Sequence, residues 1–164
     1  MNKPKIILGI DPGLASTGYG IIRVIGDKME MMDYGCISTA AGTPFEQRLK
    51  EIHEEIRQLI NLHTPSVLAI EELFFAKNAK TALLVGQARG VCLLTGIQHN
   101  LSIVEFTPLQ VKQAVTGYGK ADKKQIQQMT KILLKLKEVP WPDDAADALA
   151  IAICASLYNP ILQK

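Results

Sequence analysis

Four carboxylates stand where their side chains can meet. Asp11 ends a short apolar run and is followed at once by a Pro-Gly turn, and Glu71 ends a second apolar run. Asp144 and Asp147 are three residues apart in an alanine-rich segment, which places both on one face of a helix. The edges at which strands end host active sites in open α/β sheets. These four acids are therefore candidate partners in one site.

Carboxylates held this close raise one another's pKa and destabilise the fold unless cations lie among them. Hard oxygen ligands without Cys or His favour Mg²⁺, with Mn²⁺ as a second choice, over zinc. Two such ions roughly 4 Å apart would activate a water and stabilise the leaving oxygen of a phosphodiester. The pattern predicts metal-dependent phosphodiester hydrolysis with two ions at Asp11, Glu71, Asp144 and Asp147.

Each acid also has an ordinary structural explanation when it is taken alone. Asp-Pro-Gly begins many turns, and a glutamate at a strand end can simply be solvated. Acids in the first turn of a helix complement its dipole, and we expect Asp143 to cap the helix. The dipole does not explain acid on the packing stripe of so apolar a helix.

Lysines surround a glycine-rich loop in the second half of the chain. Lys112 precedes the segment Gly117 to Gly119, and Lys120, Lys123 and Lys124 follow it. A mobile basic segment suits contact with phosphates and an affinity that depends on salt. The alternative is a solvated helix start.

Two aromatic residues directly follow the strand that ends in the second acid. Phe74 and Phe75 precede Lys77, Lys80 and Arg89. Aromatic rings beside basic side chains suit an unpaired or distorted base, because a ring can stack on it. Burial of both rings is the alternative.

Periodicity predicts an antiparallel meander that runs into α/β alternation on a mixed sheet of about five strands, the order of a ribonuclease-H-like α/β fold. The predicted strands are Ile6 to Asp11, Gly18 to Ile25, Met29 to Ser38, Val67 to Glu71 and Ile103 to Phe106. The predicted helices are Pro44 to His63, Ala79 to Asn100, one opened by Thr107-Pro108, Ala121 to Leu136, and Asp143 to Tyr158.

Length and composition predict one domain, residues 1–164, in the cytoplasm. The chain has 164 residues, 48% of them hydrophobic, and neither a signal peptide nor an apolar run long enough for a membrane span is expected. Its net charge is +2, and 18 − 12 = +6 remains if four acids hold metal, so the rest of the surface is basic. Cys36, Cys92 and Cys154 are expected to be reduced core residues.

Several motifs together resemble the RuvC family of crossover junction endodeoxyribonucleases, from about Ile6 to Ile153. They are Ile10-Asp11-Pro12-Gly13, Thr17-Gly18-Tyr19-Gly20, Ala69-Ile70-Glu71, Lys77-Asn78-Ala79, Gly86-Gln87-Ala88-Arg89-Gly90, Gln110-Val111-Lys112 and Asp144-Ala145-Ala146-Asp147-Ala148-Leu149-Ala150. The resemblance implies a ribonuclease-H-like fold and a Holliday junction resolvase that cuts two strands symmetrically and leaves 5′-phosphate and 3′-hydroxyl ends.

By this resemblance, the four carboxylates are the catalytic, metal-binding residues, and Lys112 and Lys123 are basic residues used at the junction. It favours Phe74 as the ring inserted at the crossover, and Phe75 as a core residue. The implied partners are four-way junction DNA and the RuvA and RuvB branch-migration proteins.

The helix through Gly86 and Gly90 has a small face that packs against either the sheet or a second subunit. A junction of approximate two-fold symmetry that is cut twice favours a homodimer. Two other functions stay open. One is a nucleotide-binding phosphotransferase of the actin and sugar-kinase type, because Asp-x-Gly-x-x-x-x-Gly resembles its phosphate loop, and the other is a junction-binding protein without catalysis.

Overall fold

The computed structural model describes residues 3–73 and 79–158. These residues form five strands and five helices. In chain order they are β1 (Lys5–Asp11), β2 (Ser16–Ile25), β3 (Lys28–Ser38), α1 (Phe45–His63), β4 (Val67–Glu71), α2 (Ala79–Gln98), β5 (Ser102–Phe106), α3 (Pro108–Thr116), α4 (Lys123–Leu133) and α5 (Asp143–Leu157).

All five described strands belong to one sheet in the order β3-β2-β1-β4-β5. The pairs β1–β2 and β2–β3 are antiparallel, whereas β1–β4 and β4–β5 are parallel. An antiparallel meander therefore continues into a parallel half whose strands are joined by helices. The mixed sheet expected from the sequence is confirmed.

Helices cover both faces of the sheet, which is why β1 and β4 read as continuous apolar runs. Ile7 and Ala69 face a core that includes residues of α3, α4 and α5, whereas Leu8 and Leu68 face a second core with α1 and α2. Successive strand side chains point to opposite faces. The face on which β1 and β4 carry Ile7 and Ala69 is the one that α5 covers.

Side-chain caps explain where two of the helices begin. Thr107 forms a reciprocal capping box with Gln110, and Pro108 follows it as the first residue of α3, as the sequence predicts. Asp122 forms a second capping box with Gln125, so α4 begins at Lys123, two residues later than predicted. At its other end α4 stops at Leu133, three residues earlier than predicted, and Lys135 has a positive φ of 53°.

Helix α5 lies unusually close to the sheet because glycines replace side chains at the contact. A Cβ atom built on Gly9 would lie 2.2 Å from the carbonyl oxygen of Ala148, and one built on Gly18 would lie 2.0 Å from that of Asp144. No side chain fits in these gaps. The two glycines thus bring the start of α5 directly over β1 and β2.

Cys92 and Cys154 are free and buried, as expected, whereas Cys36 is a free cysteine that is only half-buried, on β3 near the sheet edge. The prediction that all three cysteines are core residues is therefore wrong for Cys36. Among residues 3–73 and 79–158, no helix combines the length and apolarity that a membrane crossing needs.

Candidate active site

Strand register brings the first two acids together. Ile10 on β1 pairs in parallel with Ile70 on β4, and the next residue on each strand is Asp11 or Glu71. Both carboxylates stand two residues beyond Gly9 and Ala69, so they point to the face that α5 covers. Adjacent strand ends therefore present two acids toward the start of α5.

The first two turns of α5 add the other two acids. One carboxylate oxygen each from Asp11, Asp144 and Asp147 lies within 4.8 Å of the others. Gly18, which pairs with Asp11 across β1 and β2, provides the space that lets Asp144 approach. Glu71 lies outside this compact set of three, although it lines a cleft together with Asp147.

Burial and mutual repulsion raise the pKa of the carboxyls of Asp11, Glu71 and Asp147. Burial, followed by the charges of Asp147, Glu71 and Asp144, raises the pKa of Asp11 to about 8. Burial and Asp147 also raise the pKa of Glu71, although Lys112 opposes the shift. Burial raises the pKa of Asp147 against the opposing effect of Lys123. The site thus carries more negative charge than its protein surroundings can compensate.

Lys123, at the start of α4, supplies part of the missing positive charge. Its Nζ lies 3.0 Å from Oδ2 of Asp143 and 3.2 Å from Oδ2 of Asp147. Burial lowers the pKa of Lys123, but hydrogen bonds to these two aspartates outweigh that effect and raise it.

Asp143 does not cap α5, contrary to the sequence-based expectation. Pro142 occupies the cap position without a side-chain bond, and Asp143 is the first helical residue. Its carboxylate instead accepts hydrogen bonds from Lys123 and from Gln127, the latter at 2.9 Å. These bonds lower the pKa of Asp143 and connect α4 to α5 beside the site.

Ser16 is a site residue that sequence reasoning missed. Its hydroxyl donates a hydrogen bond of 2.6 Å to Oδ2 of Asp144, a residue 128 positions away. The half-buried thiol of Cys36 lies beside Ser16, since a hydrogen bond to Ser16 lowers the pKa of Cys36 against the larger effect of burial, which raises it. Nothing in the local sequence distinguishes Ser16 from a turn serine, because its partner is set by tertiary packing.

A cleft of about 240 Å³ opens beside the acids, lined in part by Glu71, Asp147, Lys112 and Lys123. Apolar side chains also line it, Val111 and Ile151 among others. A cleft lined by both acids and lysines suits a ligand that carries negative charge and binds through cations and ammonium groups.

Comparison with known proteins shows the family to which the chain belongs. The family model described as "Crossover junction endodeoxyribonuclease RuvC" matches residues 7–155. The chain belongs to the RuvC family. The RuvC of Alkaliphilus oremlandii is 59% identical over 91% of both chains, and that of Desulforamulus reducens is 56% identical over 94% of both.

A solved RuvC structure, that of Thermus thermophilus in complex with a Holliday junction substrate, superposes with a TM-score of 0.90. The two sequences are 33% identical, and the match covers 94% of this chain and 94% of the Thermus chain. The ribonuclease-H-like fold expected from the sequence is confirmed. Membership of RuvC also favours the nuclease over the phosphotransferase and over the non-catalytic binder.

Two of the lysines predicted to contact DNA, Lys112 and Lys123, line the cleft. Lys112 is half-buried in the cleft wall, and Lys123 bridges α4 to α5. Lys120 and Lys124 are exposed, and Lys124 lines a separate groove with Tyr118. Lys80 is exposed at the start of α2.

Arg89 has two protein partners near the site. Its Nε donates a hydrogen bond of 3.0 Å to the carbonyl oxygen of Glu71, and its guanidinium pairs with Glu105 on β5. Only 15% of its side chain is exposed. This contact holds the end of β4. Phe74, Phe75 and Lys77 lie outside the described residues.

Proposed function

We propose that this chain resolves Holliday junctions in homologous recombination and DNA repair, by paired, symmetric cuts that leave 5′-phosphate and 3′-hydroxyl ends. The observation that carries the proposal is the convergence of Asp11, Asp144 and Asp147 beside a cleft that also presents lysines. The RuvC of Thermus thermophilus, solved in complex with a Holliday junction substrate, supports the choice of DNA.

The acids fit divalent metal. Three carboxylates within 4.8 Å, one of them with a pKa raised to about 8, form an all-oxygen set that needs cations to be ionised together. Because Glu71 lies outside the compact set but beside Asp147, we assign all four acids to two ions, Mg²⁺ or else Mn²⁺. Such ions, when bound, activate a water and stabilise the leaving oxygen.

The residues of the chain supply orientation and charge. Gly18 sets the distance from α5 to β2, and Ser16 holds one oxygen of Asp144 in place. We assign the catalytic role to the four carboxylates. We assign DNA contact to Lys112 and Lys123 in the cleft and to Phe74, as the RuvC resemblance implies. The sequence pattern adds Lys77, Lys80, Lys120 and Lys124. Arg89, also predicted to contact DNA, would have to leave Glu105 to do so.

One experiment separates this function from its alternatives. Purified protein is incubated with Mg²⁺ and either a mobile four-way junction, duplex DNA of equal length, or ATP. The proposal requires paired nicks in the junction only, lost on chelation. ATP hydrolysis without nicking would support the phosphotransferase, and binding without nicking would support a non-catalytic protein.

A matched pair of variants tests the carboxylate assignment. Glu71→Gln should abolish cutting and retain junction binding, whereas Glu72→Gln should cut normally, because Glu72 is exposed and points away from α5. Normal cutting by purified, folded Glu71→Gln would remove Glu71 from the mechanism.

The outer face of α2 supports a homodimer. Leu83, Leu94 and Ile97 are 63%, 56% and 60% exposed on one stripe of the helix, and a Cβ atom built on Gly90, in the same stripe, would meet nothing within 4 Å. The sequence predicts that Gly90 packs closely against a neighbouring element, but within the described part of the chain no atom of such an element lies close to it. A second copy paired about a two-fold axis would cover the stripe and supply the second active site.

The dimer is tested by mass measurement in solution. Leu94→Lys should shift the protein from dimer to monomer, while Leu62→Lys, at a position 74% exposed on α1, should not. A wild-type protein that is monomeric at micromolar concentration would contradict the assignment. Action with RuvA and RuvB, a single domain over residues 1–164 and a cytoplasmic location remain predictions from the sequence and its resemblance.

A further inference from the structure

Trp141 is an exposed aromatic residue three positions before Asp144 of the acidic site. It is the one tryptophan of the chain, and 78% of it is exposed, more than any other large apolar residue in the described ranges. A tryptophan ring typically covers 150–250 Å² when it is buried, on the order of twice the area of a small aliphatic side chain. So large an apolar surface in water is a candidate contact for a ligand.

The backbone on either side of Trp141 is restrained. Pro140 is buried and Pro142 is half-buried, and each fixes its own φ near −65°. Pro142 also accepts backbone hydrogen bonds through its carbonyl from the first turn of α5, at 3.1 Å from the amides of Ala145 and Ala146. Trp141 therefore projects from a restrained segment joined to α5.

The distance to the acids is short. Trp141 precedes Asp144 by three residues, and three residues of fully extended chain span at most about 11 Å. Asp144 belongs to the compact set of three carboxylates. A DNA strand whose scissile phosphate lies at these acids therefore passes within reach of the indole, because neighbouring nucleotides of a strand rise only about 3.4 Å along a duplex.

The charges around Trp141 indicate which part of a nucleotide it meets. Asp143 and Asp144 follow it closely, and the ammonium of Lys123 is already paired with Asp143 and Asp147. This acidic setting disfavours direct contact with a phosphate that carries no metal. A base has no charge, and its π-face stacks on an aromatic ring whatever its sequence.

A protein partner fits the surroundings less well. Protein interfaces need on the order of 1,000 Å² of buried surface, mostly around an apolar centre. Trp141 is flanked in sequence by prolines and then by two aspartates, and the next most exposed apolar residue, Leu62, belongs to α1, which lies on the opposite face of the sheet. A single aromatic ring is sufficient to stack on one nucleobase.

We propose that Trp141 is a substrate-binding residue that stacks on a nucleobase flanking the scissile phosphate. The inference rests on the proposed junction-cleaving function, and it adds a base contact that the acids and lysines do not provide. It predicts that the enzyme cuts best where that base is unpaired or easily unstacked.

The test uses tryptophan emission, which reports on this residue alone. Wild-type protein in chelator is titrated with a dye-labelled four-way junction, and binding is followed independently by anisotropy of the dye. At saturation, we expect quenched emission and protection of the indole from acrylamide. Saturated binding with unchanged emission and unchanged acrylamide quenching would overturn the proposal.

Variants then connect the contact to catalysis. Trp141→Ala should lower kcat/KM for junction cleavage by about 5- to 150-fold, the loss expected for one stacked base. Trp141→Phe should stay within a few-fold of wild type, because a ring is kept. Leu62→Ala, at a position of nearly equal exposure on α1, should have no effect. Equal losses of kcat/KM in the Ala and Phe variants, or normal cutting by Trp141→Ala, would refute the stacking proposal.

These outcomes separate the inference from the function on which it rests. A wild-type protein that neither binds nor cuts the junction refutes the proposed function. A protein that cuts while Trp141 stays accessible and replaceable refutes only the stacking. Should Trp141→Ala fail to fold, the emission measurement on wild type and the Phe variant still decide.

Discussion

Replacing Gly18 by alanine should disable the enzyme by moving a whole helix. The added Cβ would lie 2.0 Å from the carbonyl oxygen and 2.4 Å from the carbonyl carbon of Asp144, whereas ordinary contacts begin near 3.4 Å. The gap must therefore widen by about 1.4 Å, from 3.4 − 2.0. Both neighbours are backbone atoms, so no side-chain rotation can relieve the clash.

The magnitudes follow from this displacement. Overpacking of this kind typically costs about 1–3 kcal/mol of stability. A misplacement near 1 Å at a catalytic group costs about 100-fold in rate. We expect Gly18→Ala to fold, to bind the junction through its lysines and to cut it about 100-fold more slowly.

Thermal unfolding, junction binding and single-turnover cleavage at saturating Mg²⁺ are the assays. Gly42→Ala is the control, because a Cβ there would meet nothing within 4 Å. If Gly18→Ala cuts at the wild-type rate while folded, the contact between α5 and β2 does not position Asp144, and the reasoning fails.

Three further predictions concern charge and hydrogen bonding. Since the pKa of Asp11 is raised to about 8, the folded, metal-free protein keeps a proton that the unfolded chain releases above about pH 4. Its unfolding temperature should therefore fall as the pH rises from about 4 to about 8, and Asp11→Asn should remove most of that slope; parallel slopes would contradict the shift. Ser16→Ala should weaken Mn²⁺ binding, measured by titration, about 10- to 100-fold, with rescue by Ser16→Thr and no effect of the exposed Ser38→Ala. Lys112→Ala should lower the salt dependence of junction binding by about one phosphate contact. An unchanged slope of affinity against salt concentration would show that Lys112 does not contact a phosphate.

The sequence predicted the parts of the site that depend on residue type and local spacing. Asp11 and Glu71 end apolar runs, and Asp144 and Asp147 share a helical face, so both patterns are visible in short windows. Their convergence was inferred from topology, and the register of Ile10 with Ile70 confirms it for the two strand residues.

The contacts that bridge distant segments were not predictable in the same way. The bond from Ser16 to Asp144 and that from Lys123 to Asp147 depend on how α4 and α5 lie over the sheet. A shift of one residue in strand register would turn every side chain to the other face, so such pairs follow only from the assembled fold. The same packing drew Asp143 away from its expected capping role.

Arg89 connects α2 to the strand end that carries Glu71. One side of this helix exposes its apolar stripe to water, and another side holds the backbone of β4 through the bond from Arg89 to the Glu71 carbonyl. In the homodimer that we propose, two chains would pair along the stripe, and each Glu71 would be joined to the other through two helices and two guanidinium contacts. A structural change at one active site would then be transmitted to the other active site through a short series of contacts. Coordination of the two incisions, so that neither strand is left nicked alone, can arise from this shared framework without any further component.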